Sequence, residues 1–220
     1  APAQVERAGS TTVAATTLHE IVRKLPDGAL VSLTADSATG RLTVEAGRSN
    51  FSLATLPKDD FPVMTSSEYQ SNFSAPAPVL RRLFDKSKFA ISTEETRYYL
   101  HGVYMHVAES DGGKVLRCVA TDGHRLAMCT RPVNVEIDEV RQSILPRKGV
   151  IELSRLLTEP ESSVEITFGA THIRAQTKEL TFTSKLVDGK FPDYDRVLPK
   201  GGDIIVLGNR SELKQAFTRT

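Results

Sequence analysis

A set of features recurs in the same order at a spacing of 130 to 133 residues, and nothing else in the chain constrains its fold as tightly. Leu18, Ile21, Val22 and Leu25 form an apolar stripe at helical spacing, stopped by Pro26-Asp27-Gly28. Alternating strands follow around Val31 and Leu33, Leu42 and Val44, and Phe51 and Leu53, ending in Leu56-Pro-Lys-Asp-Asp-Phe61-Pro62. The series returns with the stripe Val150, Leu153, Leu157 behind Pro146, a favourable helix opener. Strands then come around Val164 and Ile166, Ile173 and Ala175, and Leu180 and Phe182, before Leu186-Val-Asp-Gly-Lys-Phe191-Pro192. The closing signature is displaced by 130 (62 to 192) and the helix by 132 (18 to 150).

A second correspondence comes from another part of the unit. Leu80-Arg-Arg-Leu83-Phe84-Asp-Lys-Ser resembles Leu213-Lys-Gln-Ala216-Phe217-Thr-Arg-Thr at an offset of 133, each after a short strand candidate, near Phe73 and at Ile204 to Leu207. The period is far longer than the roughly 20–50 residues of solenoid repeats, so the chain reads as a duplicated domain of about 130 residues. The 220 residues then hold the C-terminal half of one unit (1–66), a complete second unit (68–199) and the start of a third (200–220), with linkers at Thr65-Ser66-Ser67 and Lys200-Gly201-Gly202. The chain starts without Met and ends inside a helical pattern, as if cut at both ends; three such units make an intact chain of about 390 residues.

Within the second unit the pattern predicts a helix from Pro78 to about Ser87, and strands at 96–107, 115–120, 125–130 and near Val133 to Ile137. A helix at about 147–157 and three more strands follow. The fold class is α+β, with two helices per domain backed on mostly antiparallel sheets, each half contributing a helix and a sheet.

Apolar residues at 40% and charged residues at 25% are those of a folded globular chain. The longest apolar runs, such as Ile204 to Leu207, are far short of a bilayer-spanning helix, and the N-terminus has no signal-like apolar core. Composition thus excludes a helical membrane protein, a disulfide scaffold and a low-complexity tail. Cys118 and Cys129 flank Asp122-Gly123; if that dipeptide closes a two-residue hairpin, Cys118 pairs with Ala127 and Cys129 with Leu116, and the sulfurs do not face each other. Both are expected to be reduced, buried thiols of a cytosolic protein. The five histidines lie at 19, 101, 106, 124 and 172 with no metal-binding spacing, and no metal or cofactor site is expected.

Net charge is +1, but the basic residues are not evenly spread. The first helix of the second unit carries Arg81, Arg82, Lys86 and Lys88 against Asp85, with Val79, Leu80, Leu83 and Phe84 on its other face. The second helix region carries Arg141, Arg147, Lys148 and Arg155 against Glu152; the third unit adds Arg210, Lys214 and Arg219. Arg147 and Lys148 sit at a helix N-terminus, where the dipole disfavours cations and favours a nearby anion. Several basic helices together point to a surface facing a nucleic-acid duplex.

The hairpin tip Thr121-Asp-Gly-His-Arg-Leu126 admits an enzymatic reading with His124 as general base and Asp122 beside it, but no second convergent group or nucleophile motif accompanies it. No catalytic residue is assigned. Arg97-Tyr98-Tyr99-Leu100, read as a strand, places Tyr98 and Leu100 on one side and Arg97 and Tyr99 on the other, and tyrosine beside arginine suits nucleic acid.

At these residues the sequence resembles the bacterial sliding clamps, the beta subunits of DNA polymerase III. The resemblance runs through Gly47-Arg-Ser49, Phe51-Ser-Leu-Ala-Thr-Leu56, Thr96-Arg-Tyr-Tyr-Leu-His-Gly102, Val119-Ala-Thr-Asp-Gly-His-Arg-Leu-Ala127 and Leu145-Pro-Arg-Lys-Gly-Val-Ile-Glu-Leu153. It continues through Phe182-Thr-Ser-Lys-Leu-Val-Asp-Gly-Lys-Phe-Pro-Asp-Tyr194 and Arg196-Val-Leu-Pro199, covering essentially the whole chain in order.

It implies a replication processivity factor: three clamp-fold domains per subunit, two subunits closing a homodimeric ring around double-stranded DNA, helices lining the pore and sheets outside. Such a protein is a non-catalytic subunit of the polymerase holoenzyme, working in the bacterial cytoplasm at replication forks on the nucleoid, with no cofactor and no membrane partner. The implied DNA-facing residues are Arg81, Arg82, Lys86, Arg97, Tyr98, Tyr99, Arg147 and Lys148. The family's second site is an apolar pocket between domains two and three that takes short peptide motifs from the replicative polymerase alpha subunit, the clamp loader and repair polymerases. The positions matching it are Leu100, Thr121, Gly123, His124, Arg125, Leu126, Pro192, Arg196 and Val197. Asp195 departs from the basic residue that relatives often carry there. Because closure joins domains one and three, these 220 residues alone are expected not to form the ring. The alternatives are an enzyme acting through His124 and Asp122, and a bare nucleic-acid-binding module held at linear DNA ends.

Overall fold

The structure, a computed structural model, describes residues 3–62, 69–110, 113–132, 143–159, 161–199 and 201–219. The chain divides into two compact units, Ala1–Thr65 and Ser66–Thr220.

The first unit contains β1 (Thr12–Val13), α1 (Ala15–Val22), β2 (Ser32–Asp36), β3 (Arg41–Ala46) and β4 (Ser49–Leu56), then a 3₁₀ turn at Lys58–Asp60. Its sheet has the order β1-β4-β3-β2, with antiparallel pairing throughout. On β3, Leu42, Val44 and Ala46 are buried in alternation, as a period of two requires of a half-buried strand. β1 escapes the pattern reading because two residues carry no periodicity; it is pinned by the Thr12 hydroxyl, which donates to Leu56 O (2.9 Å) and accepts from Leu56 N (3.2 Å). α1 begins three residues before the apolar stripe and buries no residue.

The second unit runs strand, helix, three strands, and then repeats that order. The first series is β5 (Tyr69–Pro76), α2 (Ala77–Asp85), 3₁₀ turns at Lys88–Ala90 and Glu95–Leu100, β6 (Gly102–Ser110), β7 (Gly113–Thr121) and β8 (Leu126–Pro132). The second is β9 (Ser143–Pro146), α3 (Arg147–Leu156), β10 (Ser163–Gly169), β11 (His172–Gln176) and β12 (Thr181–Lys185), with a 3₁₀ turn at Tyr194–Arg196 and a last helix, α4 (Arg210–Thr218). Each three-strand meander is completed by the leading strand of the other half: β5 pairs with β10 and β9 with β6, giving the sheets β12-β11-β10-β5 and β8-β7-β6-β9. The halves are therefore interlocked and do not each hold a self-contained sheet.

Both helices cap one core. α2 buries Ala77, Leu80, Leu83 and Phe84, and α3 buries Gly149, Val150, Leu153 and Ser154. These meet Val103 and Met105 of β6, Leu116 and Cys118 of β7, and Val164, Ile166 and Phe168 of β10 in one cluster. Each helix follows a proline at its N-cap, Pro76 or Pro146. The buried Ser87 hydroxyl donates to Leu83 O (2.8 Å) and closes the last turn of α2.

Three expectations need correction. Residues 95–100 are not a strand: local bonds from Arg97 N to Glu94 O (3.4 Å) and His101 N to Tyr98 O (3.0 Å) wind them into a 3₁₀ segment interrupted at Arg97. Alternation fails there, so Leu100 is buried while Tyr98 is exposed. Secondly, the β7–β8 loop has four residues, 122–125, because Thr121 pairs with Leu126; the register shifts by two, and Cys118 lies directly opposite Cys129. Both cysteines are buried free thiols, and burial pushes the Cys118 thiol well up from its ordinary value. Thirdly, Ile204 to Leu207 form no strand and are almost fully exposed; β5, their counterpart, is held by β10, and no described strand stands beside 204–207. The expected strand at Val133 to Ile137, Arg141 and the linker at 65–67 lie outside the described residues.

Candidate clamp surfaces: a basic helix face and an apolar cleft

The sheet β8-β7-β6-β9 has two occupied faces. Alternate residues Val103, Met105, Leu116, Cys118, Ala120, Ala127, Cys129 and Leu145 point to the helices. The intervening Tyr104, Val119 and Ile144 point the other way and join Leu100, Phe191 and Tyr194 in a second buried cluster, with Tyr99, Leu126, Val187 and Leu198 packed against it. The segment 187–198 thus lies over the sheet's outer face, tied in by Val187 N donating to Ile144 O (2.9 Å). Tyr104 stacks on Phe191 with ring centres 4.8 Å apart and planes 3° from parallel, a large apolar contact. Burial pushes the Tyr104 hydroxyl up to about 12.

The hairpin tip closes the upper end of this cluster. Asp122 Oδ1 accepts from the amides of His124 and Arg125 (3.0 Å each), and Oδ2 accepts from Arg125 Nε (3.0 Å). The Thr121 hydroxyl accepts from Gly123 N (3.1 Å) and donates to Arg125 O (2.8 Å). Gly123 has φ +91, a conformation that favours glycine, and a Cβ there would lie 2.5 Å from Arg97 Nη1, so any other residue would also push the guanidinium aside. Arg97 is itself held by Glu94 Oε2 (2.7 and 3.0 Å) and buttresses the tip. Tyr98 and Tyr99 meet edge to face, 5.8 Å between centres, and pack on Gly189.

Asp122 is therefore a turn-former whose oxygens hold the tip's amides and guanidinium, and it binds the His124 amide rather than the imidazole. The His124 imidazole is exposed and makes no hydrogen bond among the described residues. The enzymatic geometry is not assembled.

The amides of Arg125 and His124, followed by the Arg125 guanidinium, hold the Asp122 carboxyl down at about 2. A depressed carboxyl stabilises the folded tip fully above its ordinary value of 3.8 and loses that contribution as pH falls through the folded value. We expect the amide NMR shift of Arg125 to move as pH falls below about 4 toward the folded value near 2. In D122N, whose amide oxygen still accepts, that movement should disappear.

The positions expected to form a peptide site divide by environment. Leu100 is buried and Leu126 half-buried on the second cluster; Thr121 is half-buried; Gly123, His124, Arg125, Pro192, Arg196 and Val197 are exposed around them. Val197 offers an apolar side chain 68% exposed, and Arg196 pairs with Asp193 at 2.8 Å. The hairpin tip, the 3₁₀ segment at 95–100 and the strap at 187–198 thus converge on one apolar floor. The sequence reading missed that floor's largest members, Tyr104, Phe191 and Tyr194, which become visible only when 187–198 folds over β6.

The positions expected to face DNA lie mainly on the helices. Arg81, Arg82 and Lys86 on α2 and Arg147 and Lys148 on α3 are all exposed, opposite the buried stripes. Asp85 pairs with Arg81 (3.6 Å) and Lys88 (2.5 Å), whereas Arg82, Lys86, Arg147 and Lys148 enter no ion pair among the described residues. No acidic residue occupies the first turn of α3, and its Arg147 amide donates to His101 O (2.8 Å), so the side chains rather than that amide remain for an anion. Arg210, Lys214 and Arg219 line one open depression along α4.

Two interlocked helix-backed sheets, with cationic helix surfaces and an apolar floor on an outer sheet face, define a clamp-type domain. Residues 75–193 match the central domain of the DNA polymerase III beta subunit, and residues 1–65 match its N-terminal domain. The chain belongs to the DNA polymerase III beta-subunit family, the beta sliding clamps. It is 49% identical over 212 residues to the beta sliding clamp of Pseudomonas aeruginosa, and 41% identical over 216 residues to that of Escherichia coli. These alignments cover 96% and 98% of this chain but 56% and 57% of the relatives, so it spans little more than half their length. Among solved structures, that of the P. aeruginosa beta subunit superposes with a TM-score of 0.88 at 49% identity, covering 96% of this chain and 57% of that one. A P. aeruginosa sliding clamp bound to griselimycin gives 0.90 at 48% identity, with 98% and 58% covered. No described helix is long and apolar enough to cross a membrane.

Proposed function

We propose that this chain is part of a DNA-replication processivity clamp, in which the intact polypeptide pairs with a second copy to encircle duplex DNA. The observation that carries this reading is the shared orientation of α2 and α3: their apolar faces enter one core, and their cationic faces, Arg81, Arg82, Lys86, Arg147 and Lys148, are left exposed. A ring holds DNA by topology, so its lining has to supply only weak, sequence-independent phosphate attraction, which permits sliding. Arg97, Tyr98 and Tyr99, which sit beside the hairpin tip and not on the helix face, form a separate proposed DNA contact. The protein is a non-catalytic subunit; the division into a first domain to residue 66, a second over 68–199 and a third from 200 belongs to the same proposal, as does its place in the cytoplasm at replication forks.

The apolar floor between 95–100, the 121–126 tip and 187–198 supports a second role, capture of short peptides from the replicative polymerase alpha subunit, the clamp loader and repair polymerases. Leu100, Leu126 and Val197 would bury the peptide's apolar side chains, while Thr121, Gly123, His124, Arg125, Pro192 and Arg196 form the rim.

The test is retention on DNA. Full-length protein loaded on a nicked circle should remain through gel filtration and be lost when the circle is linearised. Equal retention on both forms would support the bare DNA-binding module instead. Replacing Arg82, Lys86, Arg147 and Lys148 together by alanine should weaken direct equilibrium binding to duplex and flatten its salt dependence, by up to about 0.9 in log–log slope for each phosphate no longer neutralised. An unchanged slope would remove these residues from the DNA surface.

A further inference from the structure

The strap at 187–198 crosses a polar joint that no role above uses. His106 on β6 and Arg117 on β7 are cross-strand partners on the outer sheet face, and both reach the hydroxyl of Tyr194 in the strap. His106 Nδ1 lies 3.0 Å from Val107 O, an acceptor only, so it carries the proton and donates. Its Nε2 is then the acceptor for the Tyr194 O–H at 2.9 Å, while Arg117 Nη1 donates to the same oxygen at 3.0 Å. The chain Arg117 to Tyr194 to His106 to Val107 O is closed only with a neutral imidazole. Tyr194 is buried, and the next residues, Asp195, Arg196 and Val197, are exposed beside the apolar floor where the peptide site is proposed.

We propose that His106, Tyr194 and Arg117 are positioning residues that dock the 194–197 wall, so that peptide capture weakens when His106 gains a proton. The inference rests on the peptide-pocket reading above. A proton on Nε2 would turn an acceptor into a donor, leave the Tyr194 hydroxyl hydrogen without its acceptor, and set a cation beside the Arg117 guanidinium. The groups facing His106 are Tyr104 on its own strand, stacked at 4.8 Å, Arg117 on β7, and Tyr194 and Asp195 from the strap. Burial lowers the affinity of His106 for a proton and Arg117 adds to that, while the Val107 carbonyl and Asp195 oppose it; the net shift is downward from 6.5. A docked form that resists protonation is favoured fully above the ordinary value and loses ground as pH falls below it.

The experiment uses the full-length protein and a fluorescein-labelled clamp-binding peptide of the polymerase alpha subunit, read by anisotropy from pH 7.5 to 5.5. Wild-type affinity should fall by at least about twofold over this range, as protonation of His106 releases the docked wall. His106→Gln should bind about threefold more weakly at pH 7.5 and lose most of the slope. A slope unchanged in H106Q overturns the proposal. NMR titration of ¹³C-labelled histidine supplies a readout independent of the variant's folding: the H106Q-assigned signal should titrate below 6.5, and titration at or above that value also overturns it. If the peptide fails to bind at any pH, the pocket reading fails, and the His106 titration alone decides the docking device.

Discussion

Replacing Phe84 by alanine should lower the stability of the second unit by about 3–5 kcal/mol, the cost of emptying a fully buried aromatic site. Phe84 has no solvent exposure, and it lies on the face that α2 turns into the cluster shared with α3, β6, β7 and β10. The loss combines the transfer free energy of the ring with a cavity that an interlocked fold closes poorly: β5 pairs with β10 and β9 with β6, so neither half can shift inward alone. With a urea m-value of about 2 kcal/mol/M, the midpoint should drop by about 1.5–2.5 M. Phe182→Ala is the internal comparison. That ring on β12 is only partly buried against the same cluster, and its loss should cost less than half as much. Equal costs would mean that the core does not run continuously under both helices.

The two helices were legible because their signals are local. Leu80, Leu83 and Phe84 recur at helical spacing, Val150 and Leu153 do the same, and each run is opened by a proline. A basic outer face followed by elimination, since the apolar stripe has to face the core. The strands of both meanders were legible for the same reason, through alternation in stretches such as Val164 and Ile166. The exchange of β5 and β9 between sheets was not, because no local pattern records which distant strand a given strand pairs with. The tip was misjudged by a subtler effect. Asp122-Gly123 suggests a two-residue turn, but the Asp122 carboxylate captures the amides of both His124 and Arg125 and enlarges the loop to four residues. That change brings Cys118 opposite Cys129 and leaves their inward orientation intact, since a shift of two preserves the face. The segment 95–100 contains tyrosines that favour strands, yet its backbone bonds are all short-range. The His106–Tyr194 and Arg117–Tyr194 contacts join residues 88 and 77 positions apart, beyond any motif. The candidate residues around the floor came from family resemblance, while the aromatic floor and its polar joint needed the folded chain.

Leu126→Asp in the full-length protein should weaken binding of a clamp-binding peptide by at least about 100-fold, with little effect on folding. Leu126 is the first residue after the tip, half-buried against the cluster that holds Leu100, Tyr104 and Phe191, and is paired across the sheet with Thr121. Burying a leucine side chain contributes about 1.5–3 kcal/mol, and a carboxylate in the same place adds a desolvation cost to any bound apolar group. At about 1.4 kcal/mol per tenfold, the two together reach two decades or more. The hairpin itself is secured elsewhere, by Asp122 and Thr121, so the far-ultraviolet spectrum and melting temperature should change little. Leu126→Ala, which removes apolar area but adds no charge, should cost about tenfold. His124→Ala should cost about threefold or less, since the exposed imidazole supplies only rim contact. The order of these three effects separates the two readings of the tip. A peptide site ranks Leu126 above His124, because its free energy comes from apolar area removed from water. A catalytic site ranks His124 first and is nearly indifferent to Leu126, because a general base acts through one proton. Finding His124→Ala the most damaging of the three, together with a turnover that it abolishes, would overturn the clamp reading of this surface.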